Sequence, residues 1–537
     1  MTELSYRDLQ SIQQARDLAE RAHQAALTLR NFTQADVDRI ARNMVEAGLT
    51  EAERLAKMAV EETGFGKWED KLFKNQFATR SLWEYIKDMK TVGFLDDEGT
   101  VRRIAEPVGV VAAVVPSTNP TSTALNKAII SLKARNAVVL SPHPAAVRCI
   151  SETAEIMKRA AVEAGAPEDA VCWMTVPELP GTHELMSHPK VGVILATGGT
   201  GLVKAAYSAG KPAYGVGPGN VPAFIERTAD PEKAVKDIIL SKCFDNGTVC
   251  ASEQSIIVDC PLDETVRKLL KQHRSYFCTQ EEIRKLEAVM ILPERGINPK
   301  IVGQSSFKIA HMAGFTVPED TTMLVVEIEG VGSEYPLSVE KLSPVICYFT
   351  VDGWEEGCEL SIKIIYHGGL GHTMTLHTND TQILERFALE KPVMRVLVNT
   401  PATHGAIGYS TDLPPSMTLG CGTWGGSITA DNVTPMHLLN IKRLAYETKS
   451  INAGKTTITA GSSETRWRYD DQYRYRPVSE APPVESDANQ IGMKRKTPSD
   501  DKPDSQVKRA VPPETTYGEG ITEARVDEII REFKARS

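Results

Sequence analysis

Between residues 5 and 60 the apolar side chains recur at helical spacing. Ile12, Ala15, Leu18, Ala19, Ala22, Ala26 and Leu29 share one face, and Val37, Ile40, Met44 and Val45 repeat the pattern, which predicts helices with one buried side. From about residue 108 the texture changes. "VGVVAAVVP" (108–116) is an unbroken apolar run, the mark of a strand buried on both faces. A helical segment over 120–134, the strand "AVVLS" (137–141) and a helix to about 164 follow. Then come "VCWMTV" (171–176) and "VGVILAT" (191–197), the latter leading into the helical "GLVKAAYSA". Strands alternating with helices predict right-handed βαβ units and a mostly parallel sheet. After residue 250 a second series begins. "SIIVD", a helix through "LDETVRKLLKQHR", and then "MLVVEIE", "SPVICYFTV" and "VMRVLVNT" predict another α/β unit. No internal repeat is visible.

The pattern breaks at about residue 455. From there to about 520 the chain is rich in Pro, charge and small polar groups and poor in aliphatics. Such a stretch cannot bury enough apolar area to offset its chain entropy and reads as a disordered linker. Over 521–537, Val526, Ile529, Ile530 and Phe533 fall at i, i+3, i+4 and i+7, an apolar stripe on an otherwise charged helix. The expected divisions are 1–249 for the helices and first α/β unit and 250–425 for the second. A returning or oligomerisation segment over 426–455, a linker over 456–520 and a tail helix over 521–537 complete the chain.

Composition narrows the function classes. Hydrophobic content of 41% and charged content of 24% are those of a globular protein. A formal charge of −9 argues against general nucleic-acid binding. No apolar run reaches the length of a membrane span, and the N-terminus lacks the pattern of a signal peptide. The nine cysteines are scattered, with no C-x-x-C pair, so neither a disulfide framework nor a metal site is expected. A cytoplasmic enzyme is the plain expectation.

One cysteine stands apart. "FDNGTVCASEQS" (244–255) sets Cys250 after a loop of Asp, Asn, Gly and Thr and just before an apolar strand, a junction of the kind that carries functional groups. A thiol of pKa about 8.5 is only a few per cent ionised at pH 7, so a nucleophilic Cys250 needs activation, an oxyanion donor and an acceptor for what leaves. Asn119, in "VVPSTNPTST", lies at a strand end where an amide could donate; taken alone it also reads as a turn residue before Pro120. "LATGGTGLVKAA" (195–206) is a glycine-rich strand-to-helix turn able to hold a diphosphate, though its spacing is not G-x-G-x-x-G. "GVGPGN" (215–220) by itself marks only a bend. Glu253 reads as structural. His372 reads equally as a site residue or a core histidine. The eight other cysteines read as small hydrophobes.

Together "EPVGVVAAVVPSTNPTSTALNKAIISLKARNAVVLSPHP", "GVGPGN", "SKCFDNGTVCASEQS", "EKLSPV", "HGGLGHT" and "GCGTWGG" resemble the CoA-acylating branch of the aldehyde dehydrogenase superfamily, over roughly residues 5–450. That branch includes the acetaldehyde half of bifunctional aldehyde–alcohol dehydrogenases, and a second, iron-type alcohol dehydrogenase domain is not expected in this chain. The resemblance implies two doubly wound α/β domains, NAD-binding and catalytic, with a small oligomerisation element and a dimer or tetramer. It implies that Cys250 carries a hemithioacetal and then an acyl-thioester, and that Asn119 and the Cys250 backbone N–H hold the oxyanion. It implies that Thr197, Gly198, Gly199 and Thr200 border the cofactor diphosphate, that Glu340 binds the nicotinamide ribose, and that Pro116 and Gly217 complete the cofactor site. His143, in "SPHP", stands where many hydrolytic relatives place a ribose-binding lysine two residues earlier; that position here is Ser141, which leaves the choice of NAD or NADP open. Hydrolytic relatives carry a general-base glutamate in an "LELGGK"-type motif. Laid against it, "YGVGPGN" puts Gly215 at the glutamate position, which favours thiolysis by coenzyme A over release of a free acid.

The tail resembles the encapsulation peptides that send enzymes into bacterial microcompartments, with shell proteins as partners and propionaldehyde from propanediol breakdown as the expected substrate, acetaldehyde next. Packing of the tail helix on its own oligomer is the plainer alternative. For the whole chain the alternatives are a hydrolytic dehydrogenase and a catalytically idle scaffold or shell adaptor.

Overall fold

The structure is a computed structural model that describes residues 5–292 and 296–449. The expected linker over 456–520 and tail helix over 521–537 lie outside the described residues.

The helical stripes of the N-terminal region form Tyr6–Leu29, Gln34–Thr50 and Ala52–Thr63. Ser5 and Thr33 open the first two with capping boxes, each side chain accepting from the N–H three residues on while that residue's carboxylate returns to the cap. In one apolar core, the buried stripe of Gln34–Thr50 packs on the helices Pro120–Lys133 and Val147–Glu163, and that of Tyr6–Leu29 on a five-stranded parallel sheet. Its spatial order is Val171–Trp173, Ala137–Pro142, Val110–Val115, Val191–Thr197, Ala213–Val216. All six residues of Val110–Val115 are buried, as an unbroken apolar run requires of a central strand. The chain leaves this strand to one side through the helix Pro120–Lys133 and returns later on its other side as Val191–Thr197. The crevice at the carboxyl ends of these two strands is the topological switch point, where open α/β sheets hold ligands.

A second parallel sheet has the order Tyr276–Phe277, Leu324–Glu327, Val345–Val351, Glu253–Asp259, Val221–Ile225, Met374–His377, Val396–Val398. The expected division at 249/250 leaves Val221–Ile225 on the first side, yet its hydrogen bonds run to Glu253–Asp259 and Met374–His377 in the second sheet. The helix Pro231–Cys243 packs with them. The chain therefore changes sheets at "GVGPGN", whose six residues carry no periodicity of their own. A three-stranded antiparallel sheet joins Gly93–Phe94, Val101–Pro107 and Leu439–Ala445. Among the described residues no helix is long and apolar enough to cross a membrane.

Candidate active site

A cavity of about 410 Å³ opens at the switch point and reaches from the first sheet to the loop before the second. Its wall includes Pro116, Asn119, Ser141, His143, Thr197, Gly198, Gly199, Gly217, Cys250 and Glu340. Thr200, the exposed first residue of the helix Thr200–Ser208, is not among the residues that line the cavity.

Cys250 owes its place to the loop before it. Asp245, Asn246 and Gly247 take successive left-handed conformations, φ 48°, 52° and 75°, which Asp, Asn and Gly tolerate better than other residues. At Gly247 a methyl group would also press on the backbone of Ser343, 2.9 Å away. This turn joins the helix Pro231–Cys243 to the strand Glu253–Asp259 and leaves Cys250 half-buried in the cavity wall. The histidine with two readings turns out to face it. His372 Nε2 lies 3.3 Å from Cys250 Sγ, and Nδ1 lies 3.0 Å from Thr373 Oγ1. Burial, then the nearby Arg395 cation, pushes the imidazole down to about 3, so the ring is neutral. Burial and the Glu340 carboxylate push the thiol up. Both shifts favour a neutral thiol–imidazole pair over thiolate and imidazolium.

Arg395 fixes the loop that carries the histidine. Its guanidinium donates to the carbonyls of His372 at 3.4 Å, Gly420 at 2.8 Å and Ala430 at 3.2 Å, and to Asn432 Oδ1 at 2.9 Å. The "GCGTWGG" and "ADN" segments are thereby tied to the site. Asn119, the residue before the helix Pro120–Lys133, points its Nδ2 at the Thr248 carbonyl, 3.4 Å away.

The cofactor side is built from backbone. Gly199 precedes the first turn of Thr200–Ser208, and no side chain caps that helix, so its leading N–H groups remain for an anion. A methyl group added at Gly199, Gly201 or Gly217 would meet nothing within 4 Å. Open backbone at a helix N-terminus beside a 410 Å³ cleft fits a dinucleotide. Glu340 accepts from the Gly219 N–H at 3.0 Å, and burial raises its carboxyl to about 7. Ser141 is buried against Thr182, Oγ to Oγ1 2.8 Å, while His143 is exposed and accepts from the Ala145 N–H at 3.1 Å.

Lys127, unremarked in the sequence, is completely buried. It donates to the carbonyls of Val114 at 2.7 Å and Leu195 at 2.9 Å and to Thr197 Oγ1 at 3.0 Å, clamping the two strand ends that open the crevice. Burial pushes its amine down to about 7. A lysine in "ALNKAIISLK" gives no local sign of this. Glu253 is buried at the start of its strand and accepts from the Ala402 N–H at 2.8 Å, outside the cavity wall.

At position 215 the structure goes further than the sequence. A methyl group on Gly215 would sit 2.3 Å from Tyr207 Oη and 2.8 Å from Val203 Cγ1. A side chain there would have to displace Tyr207 and Val203.

A parallel sheet with a glycine turn at its switch point, facing a cysteine carried by a second sheet, defines a dinucleotide-dependent enzyme centred on a thiol. The chain belongs to the aldehyde dehydrogenase family, whose model matches residues 2–283. It is 44% identical over 441 residues to the bifunctional aldehyde-alcohol dehydrogenase of Escherichia coli (strain K12), covering 81% of this chain but 49% of that protein. The chain thus spans about half the length of that curated relative. Its fold matches an acetylating aldehyde dehydrogenase from Geobacillus thermoglucosidasius with TM-score 0.81 and 50% identity, covering 84% of this chain and 100% of the other. It also matches a propionaldehyde dehydrogenase from the Clostridium phytofermentans fucose utilisation bacterial microcompartment, with TM-score 0.72 and 27% identity, over 80% and 96% of the two chains.

Proposed function

We propose that the chain oxidises a short-chain aldehyde with a nicotinamide dinucleotide and transfers the acyl group to coenzyme A: aldehyde + NAD + CoA gives acyl-CoA + NADH + H⁺. The observation that carries this is the Cys250–His372 thiol–imidazole pair, with glycine and not a carboxylate at position 215.

Cys250 Sγ attacks the carbonyl carbon as His372 Nε2 takes the thiol proton, so that charge does not build on sulfur first. In the tautomer that donates from Nδ1 to Thr373 Oγ1, Nε2 offers its lone pair to the thiol. The new oxyanion is met by Asn119 Nδ2 and the Cys250 N–H, a contribution of about 2.7–4 kcal/mol per donor in comparable sites. The dinucleotide, when bound, supplies the hydride acceptor; Glu340 and the 198–199 turn hold it. Collapse of the oxyanion leaves an acyl-thioester on Cys250, and His372 releases the proton it took, the H⁺ of the overall equation. Water is a far weaker acid than a thiol, and attack by it on this ester would need a stronger base than His372. A CoA thiol ionises far more readily, and His372 is the group placed to receive its proton as Cys250 departs.

For the aldehyde, the 50% identity to an acetylating enzyme against 27% to a propionaldehyde enzyme favours acetaldehyde, with propionaldehyde second. The microcompartment reading rests on the amphipathic stripe of 521–537 and on the microcompartment origin of one structural relative. Deleting 521–537 is expected to spare activity and abolish co-purification with shell proteins; retained co-purification counts against it. The catalytic reading is tested by following NADH from C2, C3 and C4 aldehydes with and without CoA. Steady turnover only with CoA, and an acyl adduct on Cys250 without it, are expected. CoA-independent turnover to free acid favours the hydrolytic alternative.

A further inference from the structure

The helix Trp68–Gln76 carries two lysines three residues apart, Lys71 and Lys74, on one face and fully buried. Both reach the buried carboxylate of Asp245, in the loop that delivers Cys250. Asp245 Oδ2 accepts from Lys71 Nζ at 2.9 Å, from Lys74 Nζ, and from Thr248 Oγ1 at 2.6 Å. Its Oδ1 accepts from the Lys67 N–H at 2.8 Å. Asp70 stands beside them, its Oδ2 accepting from the Asp245 N–H at 2.7 Å, so the two ammoniums face two carboxylates. The two lysines differ in their remaining contact. Lys71 donates to the Thr118 carbonyl at 3.1 Å, whereas Lys74 donates to Asn119 Oδ1 at 2.6 Å.

That contact decides which way the Asn119 amide faces. An ammonium only donates, so it accepts the oxygen end of an amide and repels the NH₂ end. With Oδ1 held by Lys74, Nδ2 is turned toward Thr118 Oγ1 at 3.2 Å and the Thr248 carbonyl at 3.4 Å. Both contacts are long and easily yielded to a stronger acceptor. Burial, offset by Asp245, brings Lys74 down to about 8, so it remains an ammonium at pH 7.

We propose that Lys74 is a positioning residue: anchored on Asp245, it fixes the Asn119 amide with its NH₂ toward the cavity that holds Cys250. The proposal rests on the reading of Asn119 as oxyanion donor. It assigns orientation to Lys74, which meets the amide, and not to Lys71, which meets the Thr118 carbonyl.

The full-length protein supplies the test, through single-turnover formation of reduced cofactor from acetaldehyde without CoA, alongside cofactor affinity and thermal unfolding. Lys71→Met and Lys74→Met each remove one cation from the same carboxylate. Asn119→Ala is expected to lose roughly 10²–10³-fold and Lys74→Met roughly 10–10²-fold at unchanged cofactor affinity, with Lys71→Met within about threefold of the parent. In the Asn119→Ala background, Lys74→Met is expected to change the rate by less than about threefold, since nothing remains to be oriented. Lys74→Arg, which keeps a donor-only cation, is expected to restore most of the rate; it also serves if Lys74→Met unfolds. Equal losses in the two Met variants, full additivity with Asn119→Ala, or Arg behaving as Met overturns the proposal while leaving Asn119 as donor. A normal rate in Asn119→Ala overturns both.

Discussion

The two walls of the cleft are made of different material. The wall at Gly199 and Gly217 is backbone with empty space beside it. The facing wall, with Cys250 and Asn119, is backed by buried side chains that hold one another: Cys250 with His372, Asn119 with Lys74, Lys74 with Asp245, and Arg395 across the loops. Backbone amides recognise a phosphate in nearly any sequence that can make the turn, so that wall binds and tolerates change. The other wall depends on identity at each position, because its charged and polar groups are satisfied by particular neighbours in a connected network.

Substitutions can sharpen or break this contrast. The largest effect is expected at the sulfur. Cys250→Ala is expected to lose at least ~10⁴-fold in turnover, as removal of a covalent nucleophile does, with cofactor affinity, read by titration, within a few-fold of the parent. Next comes the partner of the thiol: His372→Ala is expected to lower kcat about 10²–10³-fold, the range for a proton acceptor, seen in both acylation and thiolysis rates. On the backbone wall, Gly199→Ala is expected to fold normally, since its methyl group meets no protein atom, and to raise the KM for the dinucleotide about tenfold at nearly unchanged kcat. A Gly199→Ala loss in kcat as large as that of His372→Ala would erase the distinction between the walls. Gly215→Glu, the substitution that motif comparison would choose to install a hydrolytic base, is expected to destabilise the protein through its clash with Tyr207 and Val203 and to yield no free acid.

The smallest effect concerns stability. Burial raises Glu253 to about 7. An acid whose folded pKa lies above its unfolded value binds its proton more tightly when folded. Its contribution is therefore complete below about 4.5 and is lost as pH climbs to about 7, at a cost of roughly 3 kcal/mol. Glu253→Gln keeps an oxygen for the Ala402 N–H and is expected to flatten this fall, so that denaturant midpoints at pH 5 and pH 8 draw together.

The chain's own pattern determined the elements and the broad chemistry. Unbroken apolar runs specified Val110–Val115 and Val191–Thr197, helical stripes specified Tyr6–Leu29 and Gln34–Thr50, and the loop "FDNGTVC" singled out one thiol among nine. These are local properties, carried by side-chain period and turn preference within a few residues. The short strands Ala213–Val216 and Met374–His377 left too brief a pattern to stand out, and nothing near Val221–Ile225 says which sheet it joins. Tertiary structure alone decided that His372 meets a sulfur 122 positions away, that Lys74 reaches Asn119, and that Tyr207 fills the space beside Gly215. Such contacts follow from the order of strands and the packing of helices across a cleft, and distance along a chain carries no record of which side chains that packing will bring together.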